Sequence, residues 1–176
     1  SILKYSVYFL GITSILSVLF GGISFTFASI GGVIVFGACD AGWADGTLIE
    51  NLPGDIKKAN EYMQRNYVAD KNHPIVTGEL TDNQVLLDED LYENYTSHTY
   101  FNEESLPAGT QIILRDTKDR PTLVEYPLGE GRVIASGLTW EYNYEKGGGT
   151  YGTYAKKAMD DLFTYAMYVS SINVEE

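Results

Sequence analysis

The chain has a single cysteine, Cys39, and two histidines, His73 and His98, in 176 residues. One thiol cannot close an internal disulfide, and neither a zinc-ligand spacing nor an EF-hand is present. The lone cysteine does not fix the compartment, because many bacterial surface proteins also do without disulfides. Cations are scarce as well: 12 Lys and Arg stand against 24 Asp and Glu, for a formal charge of −12. No Lys/Arg cluster is available to neutralise phosphates, which excludes nucleic acid as a partner. The same imbalance disfavours anionic ligands unless a local positive group compensates. A P-loop, a G-x-G-x-x-G turn and a G-x-S-x-G elbow are all missing, and no cofactor is expected.

Charge is also absent from one long stretch, since nothing from Tyr5 to Cys39 is charged. Ser6 to Ala28 is long enough to cross a bilayer core. Against that reading, Gly11, Gly21-Gly22 and Gly31-Gly32 interrupt the run, Ser and Thr are frequent within it, and one lysine is its only positive flank. A signal peptide would end in a small-residue cleavage site, not in a second strand-like run. The preferred parse is a βαβ unit: "YSVYFL" as a strand, Ile12 to Ala28 as a helix, and "VIVFG" as a second strand buried on both faces. That helix is apolar all round, so a neighbouring domain or subunit is expected to cover it. Residues 1–29 are thus either the βα start of the sheet or a membrane segment, with the membrane reading second.

At 176 residues one domain spanning 1–176 is the default. "DAGWADGTLIENLPGD" reads as a loop, and "DIKKANEYMQRNYV" as a helix with Ile56, Ala59, Tyr62 and Met63 on one side. "HPIVTGEL" is expected to be extended and the acidic, aromatic "DEDLYENYTSHTYF" irregular. "GTQIILRD", the turn-like "TKDR" and "PTLVEYPL" form a hairpin; "GEGRVIASGL" adds a buried strand. A helix from Thr153 to Ser170 closes the chain, with Tyr154, Ala158, Leu162, Tyr165 and Val169 at helical spacing. Alternation of strand and helix makes the class α/β.

"GGVIVFGACDAGW", "NHPIVTGEL", "DEDLYENY" and "RPTLVEYPLGEGRVIASGLTWEYNY" resemble, in that order, the ThuA-like branch of the class I glutamine amidotransferase-like fold. The most specific pieces are Asn72-His73-Pro74-Ile75 followed by Gly78, and the Gly-Glu-Gly-Arg-Val run at 129–133. The resemblance implies a flavodoxin-like three-layer sandwich with a mainly parallel sheet and an antiparallel hairpin insertion, here lacking the family's first βα unit. It also implies a bacterial setting, since such domains occur in surface and carbohydrate-related proteins.

In that superfamily the strand resembling "VIVFG" often ends in a nucleophile elbow, which would place Cys39 in a cleft with a lowered thiol pKa. Two features depart from the pattern: the second glycine comes one residue late, and Asp40 puts a negative charge beside the sulfur. The family's His-x-Glu step is absent, because "SGLTWEYNY" supplies Trp140, Glu141 and Tyr142 in its place. A catalytic set would therefore be Cys39 with His98, or the carboxylates Asp40 and Glu141, on an amide or carbohydrate-related substrate. A structural, half-buried Cys39 is the better reading.

Aromatic residues crowd the segments around Tyr92, Tyr95, Tyr100 and Phe101 and around Trp140, Tyr142 and Tyr144. If loops gather at one end of an open sheet, Asp40, Trp43, Tyr100, Trp140 and Tyr142 would line one crevice, and flat rings with polar edges suit sugar faces. Packing of those rings onto the sheet competes with that reading. Asp88, Glu89 and Asp90 read as a solvated acidic loop before they read as calcium ligands. The sequence thus points to a non-catalytic module of a larger bacterial protein, structural or carbohydrate-binding, at the cell surface or outside the cell. A hydrolase is the alternative.

Overall fold

The computed structural model describes residues 7–10, 32–36, 51–140 and 149–172, with positions 7–10, 93–95, 149–152 and 172 as backbone only. Cys39 and most of the uncharged stretch lie outside the described residues. The strands are β1 (Val7–Leu10), β2 (Val33–Phe36), β3 (Asn51–Leu52), β4 (Ile56–Val68), β5 (Tyr92–Phe101), β6 (Gln111–Asp116), β7 (Pro121–Leu128) and β8 (Gly131–Ser136). The α-helices are the single turn α1 (Pro74–Thr77) and the long α2 (Gly149–Ile172). The strands run in the order β1-β2-β8-β7-β6-β4-β3, with β5 paired to β4 off that path.

This is a predominantly β domain with a mixed sheet that curls into a half-barrel. It corrects the expected α/β flavodoxin-like sandwich. Among the described pairs only β2 and β8 are parallel. β1 runs antiparallel to β2, with Tyr8 opposite Val35, so the pair is not a βαβ unit. The cause lies in the connections. Short turns at 117–120 and 129–130 join β6 to β7 and β7 to β8, and a short turn can only reverse a strand. Gly129 supplies the left-handed φ of 62° that the second of these turns needs.

The sheet buries both faces. Val33, Val35, Leu123 and Ile134 point toward α2 and meet Ala155, Ala158, Leu162 and Ala166. Their alternates Ile34, Phe36, Val124, Val133 and Ala135 point the other way, where Leu52, Ile56 and Phe101 from β3–β5 close the second core. Period-two alternation thus produces two apolar layers, and strands carry the second layer where a flavodoxin-like fold would have helices.

β4 is the largest departure from expectation, a strand of 13 residues where helical spacing predicts a helix. It pairs with β5 through Arg65 and with β6 from Asn66 onward, and its register against β5 shifts on both sides of Met63. Those irregularities break the period-two pattern and leave apolar residues three and four apart. "DEDLYENYTSHTYF" is likewise ordered, as a 3-10 turn at Asp88–Leu91 followed by β5. "HPIVT" is extended only at His73, which caps α1. Among the described residues no helix is long and apolar enough to cross a membrane.

After β8 the chain passes beneath β5. Gly137 O accepts from His98 N–H at 2.9 Å, and Thr139 N–H donates to Thr96 O at 3.0 Å. A Cβ at Gly137 would lie 2.1 Å from Thr99 O, so only glycine permits the approach.

Candidate functional site

Two polar constellations stand out, one inside the molecule and one on its surface. The inner one is built on Glu125, a fully buried carboxylate in the middle of β7, on the side that faces α2. His73 Nε2 lies 3.0 Å from Glu125 Oε2, and Tyr165 of α2 donates to the same oxygen at 2.9 Å. Arg132 of β8 reaches Oε1 at 2.8 Å. His73 Nδ1 accepts from Ile75 N–H at 3.2 Å. Nδ1 is therefore unprotonated, and Nε2 carries the proton that is donated to Glu125.

Burial acts to raise the Glu125 pKa, but the hydrogen bonds from His73 and Tyr165 and the charge of Arg132 outweigh it and hold the carboxyl below its usual range. The Tyr165 phenol is pushed up by burial and by the Glu125 charge. His73 of the Asn-His-Pro motif and Arg132 of the Gly-Glu-Gly-Arg motif are brought by the fold to one carboxylate. His73 and Glu125 have 1% and 0% side-chain exposure, Arg132 reaches in from the surface, and the arrangement ties α1, β7, β8 and α2 together.

The surface constellation lies on β4 and β5. Asn66 Nδ2 donates to Ser97 Oγ at 3.2 Å and Asn66 Oδ1 accepts from Thr122, so Asn66 and Ser97 face inward. Their neighbours Arg65 and Tyr67 consequently face outward, and His98 lies beside them with its ring nitrogens buried. Tyr92 sits directly opposite Arg65 and shares its face. The Arg65 guanidinium carbon lies 5.0 Å from the Tyr67 ring centre and 5.9 Å from that of Tyr92. Tyr62 meets His98 edge-on, with ring centres 4.6 Å apart. Three of these rings are open to solvent: Tyr62 is 57%, Tyr92 59% and Tyr67 36% exposed.

Further along β5, Tyr100 carries the Arg120 guanidinium 3.7 Å from its ring centre. Arg120 is held in turn by Asp116 at 2.7 Å and Glu61 at 2.7 Å. Tyr100 also lines a groove of about 310 Å³ with Lys57, Lys58, Asn102 and Glu103.

Of the residues singled out from sequence, Cys39, Asp40, Trp43, Glu141 and Tyr142 lie outside the described residues. Trp140 is fully buried in the core beside Leu138 and offers no open ring face. Tyr100 is on the outer surface of β5, with Arg120 on its ring. His98 is also on β5, and burial lowers its pKa from 6.5 to about 4. Its imidazole is therefore neutral at pH 7 and a weak general base. Asp88 and Asp90 cap backbone groups, accepting from Val68 N–H and Leu87 N–H. Among the described residues no group of three or more His, Cys, Asp and Glu is placed to hold a metal ion.

Sequence reasoning missed Glu125, Arg65 and Tyr62 as site residues. An isolated acid in the apolar run "TLVEYPL" was the available signal for Glu125, because an unpaired carboxylate is not tolerated in a strand buried on both faces. The helical reading of "DIKKANEYMQRNYV" places Tyr62 on a helix and hides its relation to β5.

No family model matches the chain. It is similar to an uncharacterised protein of Clostridium acetobutylicum, with 28% identity over 112 residues that cover 64% of this chain and 10% of that protein. The matched segment thus spans about a tenth of its relative's length.

Proposed function

We propose that this chain is a non-catalytic module of a larger bacterial protein and binds carbohydrate through the outer face of β4 and β5. The observation that carries the reading is the group of exposed tyrosines on that face, Tyr62, Tyr67 and Tyr92, two of them packed on one guanidinium. Flat rings held on paired strands bury the C–H surface of a sugar at little entropic cost. The module part is supported by the similarity to a short segment of a much longer bacterial protein. The non-catalytic part is supported by the use of His73 and Glu125 as internal ties and by the low basicity of His98. A cell-surface or extracellular setting follows from the ligand.

The test is a glycan array probed with the native chain and with the Tyr62→Ala/Tyr92→Ala double variant. The reading expects native binding that drops at least about tenfold in the variant, roughly the loss of two ring contacts. It also expects an unchanged mass for the bound oligosaccharide after prolonged incubation. An empty array overturns the binding part, and cleavage products overturn the non-catalytic part.

A further inference from the structure

The tyrosine face contains a charge, on Arg65, that no carboxylate among the described residues neutralises. The chain has four arginines. Arg115 is paired with Glu103 at 2.7 Å, Arg120 with Asp116 and Glu61, and Arg132 with Glu125 at 2.8 Å. Lys118 also pairs with Glu61. Among the described residues Arg65 has no carboxylate partner, and its Nε is buried without a hydrogen-bond acceptor. In a chain with twice as many acids as bases, a guanidinium left over in this way is a departure from the molecule's own pattern.

Its surroundings fix its position without satisfying its Nε. The rings of Tyr67 and Tyr92 hold the guanidinium through their faces, and among the described residues no oxygen meets its Nε. A carboxylate is the group whose geometry matches that fork. We infer that the face recognises a glycan bearing a carboxylated sugar, a hexuronate or a sialic-type acid, with Arg65 meeting the carboxylate while the tyrosines stack on the adjoining rings.

The inference rests on the carbohydrate-binding reading and refines it by naming the sugar class. The overall charge of −12 narrows it further. A dense polyanion would be repelled at long range, whereas one acid among neutral sugars needs only a local cation. The ligand is therefore a mostly neutral glycan with isolated acidic residues.

The experiment uses an array that pairs each neutral oligosaccharide with a counterpart carrying one hexuronate or sialic acid, together with spots of glutamate-rich peptide. The native chain is expected to prefer the acidic member of a pair by at least about tenfold, a factor within the range of a charge-assisted bidentate contact. Arg65→Gln, with its fold checked by near-UV circular dichroism, is expected to collapse that ratio toward one. Arg65→Lys keeps the charge without the planar fork and should retain only part of the preference. Equal binding to both members overturns this inference and leaves the carbohydrate reading standing. Binding to neither member overturns both. A signal confined to the acidic peptide overturns both in favour of a protein partner.

Discussion

Glu125 shows how one buried charge organises several elements at the residue scale. Removing a carboxylate that receives three side-chain donors leaves the donors of His73 and Tyr165 without a partner in the interior. Glu125→Ala should therefore cost about 3–5 kcal/mol in urea unfolding, the range for breaking a buried pair from one side. Arg132→Gln should cost less, because its side chain is 40% exposed and water can replace the lost partner.

The same residues set a pH dependence. Glu125 titrates lower in the folded state, so its stabilisation is complete above about 4.5 and is lost as pH falls through the lower, folded value. His98 acts over a different window. Its folded pKa of about 4 lies below the ordinary 6.5, so the unfolded chain takes up the proton first and stability declines as pH falls between those values. Urea midpoints measured from pH 7 to pH 3 should show both segments. His98→Phe should flatten the upper one and leave the lower; an unchanged upper segment would contradict the burial assigned to His98.

At the scale of elements, the fold depends on close crossings as much as on apolar area. The passage of Gly137 beneath β5 is the tightest of these. Gly137→Ala would drive a methyl group into Thr99 O and displace the bonds from His98 and Thr99 to Gly137 O. The expected loss is about 3 kcal/mol, the upper part of the overpacking range, read from the thermal midpoint and from faster amide exchange at His98 and Thr99. A thermal midpoint within a degree of the native value would contradict the crossing.

Legibility also divides at this scale. The β6–β7 hairpin can be read directly, because "TKDR" separates two apolar runs and Asp119 takes the left-handed φ of 62° that closes the turn. α2 is equally plain, since Ala158, Leu162 and Tyr165 recur on its buried side. β4 is not legible. Most of its side chains are at least partly exposed, and its register shifts twice against β5, so no alternation survives to mark a strand. The error carries into the site, because Tyr62, Arg65 and Tyr67 gain meaning only beside β5.

At the scale of the whole molecule, a curled mixed sheet places α2 over one face and the β3–β5 strands over the other. Its two motif residues, His73 and Arg132, are spent on the interior around Glu125. On β4 and β5 three exposed rings collect beside a guanidinium with no carboxylate partner among the described residues. The aromatic richness visible in the sequence does not say which rings are core and which are exposed. Trp140, expected at a crevice, is core; Tyr92, expected in an irregular loop, is on an exposed strand.

The central claim is that this face meets the ligand, and amide chemical-shift mapping tests it most directly. The isotope-labelled chain would be titrated with the oligosaccharide that binds most tightly on the array. The largest shifts are expected on Tyr62, Arg65, Tyr67 and Tyr92, with the amides around Glu125 unmoved. Shifts confined to residues 37–43 and 140–145, or no shifts at all, would contradict it.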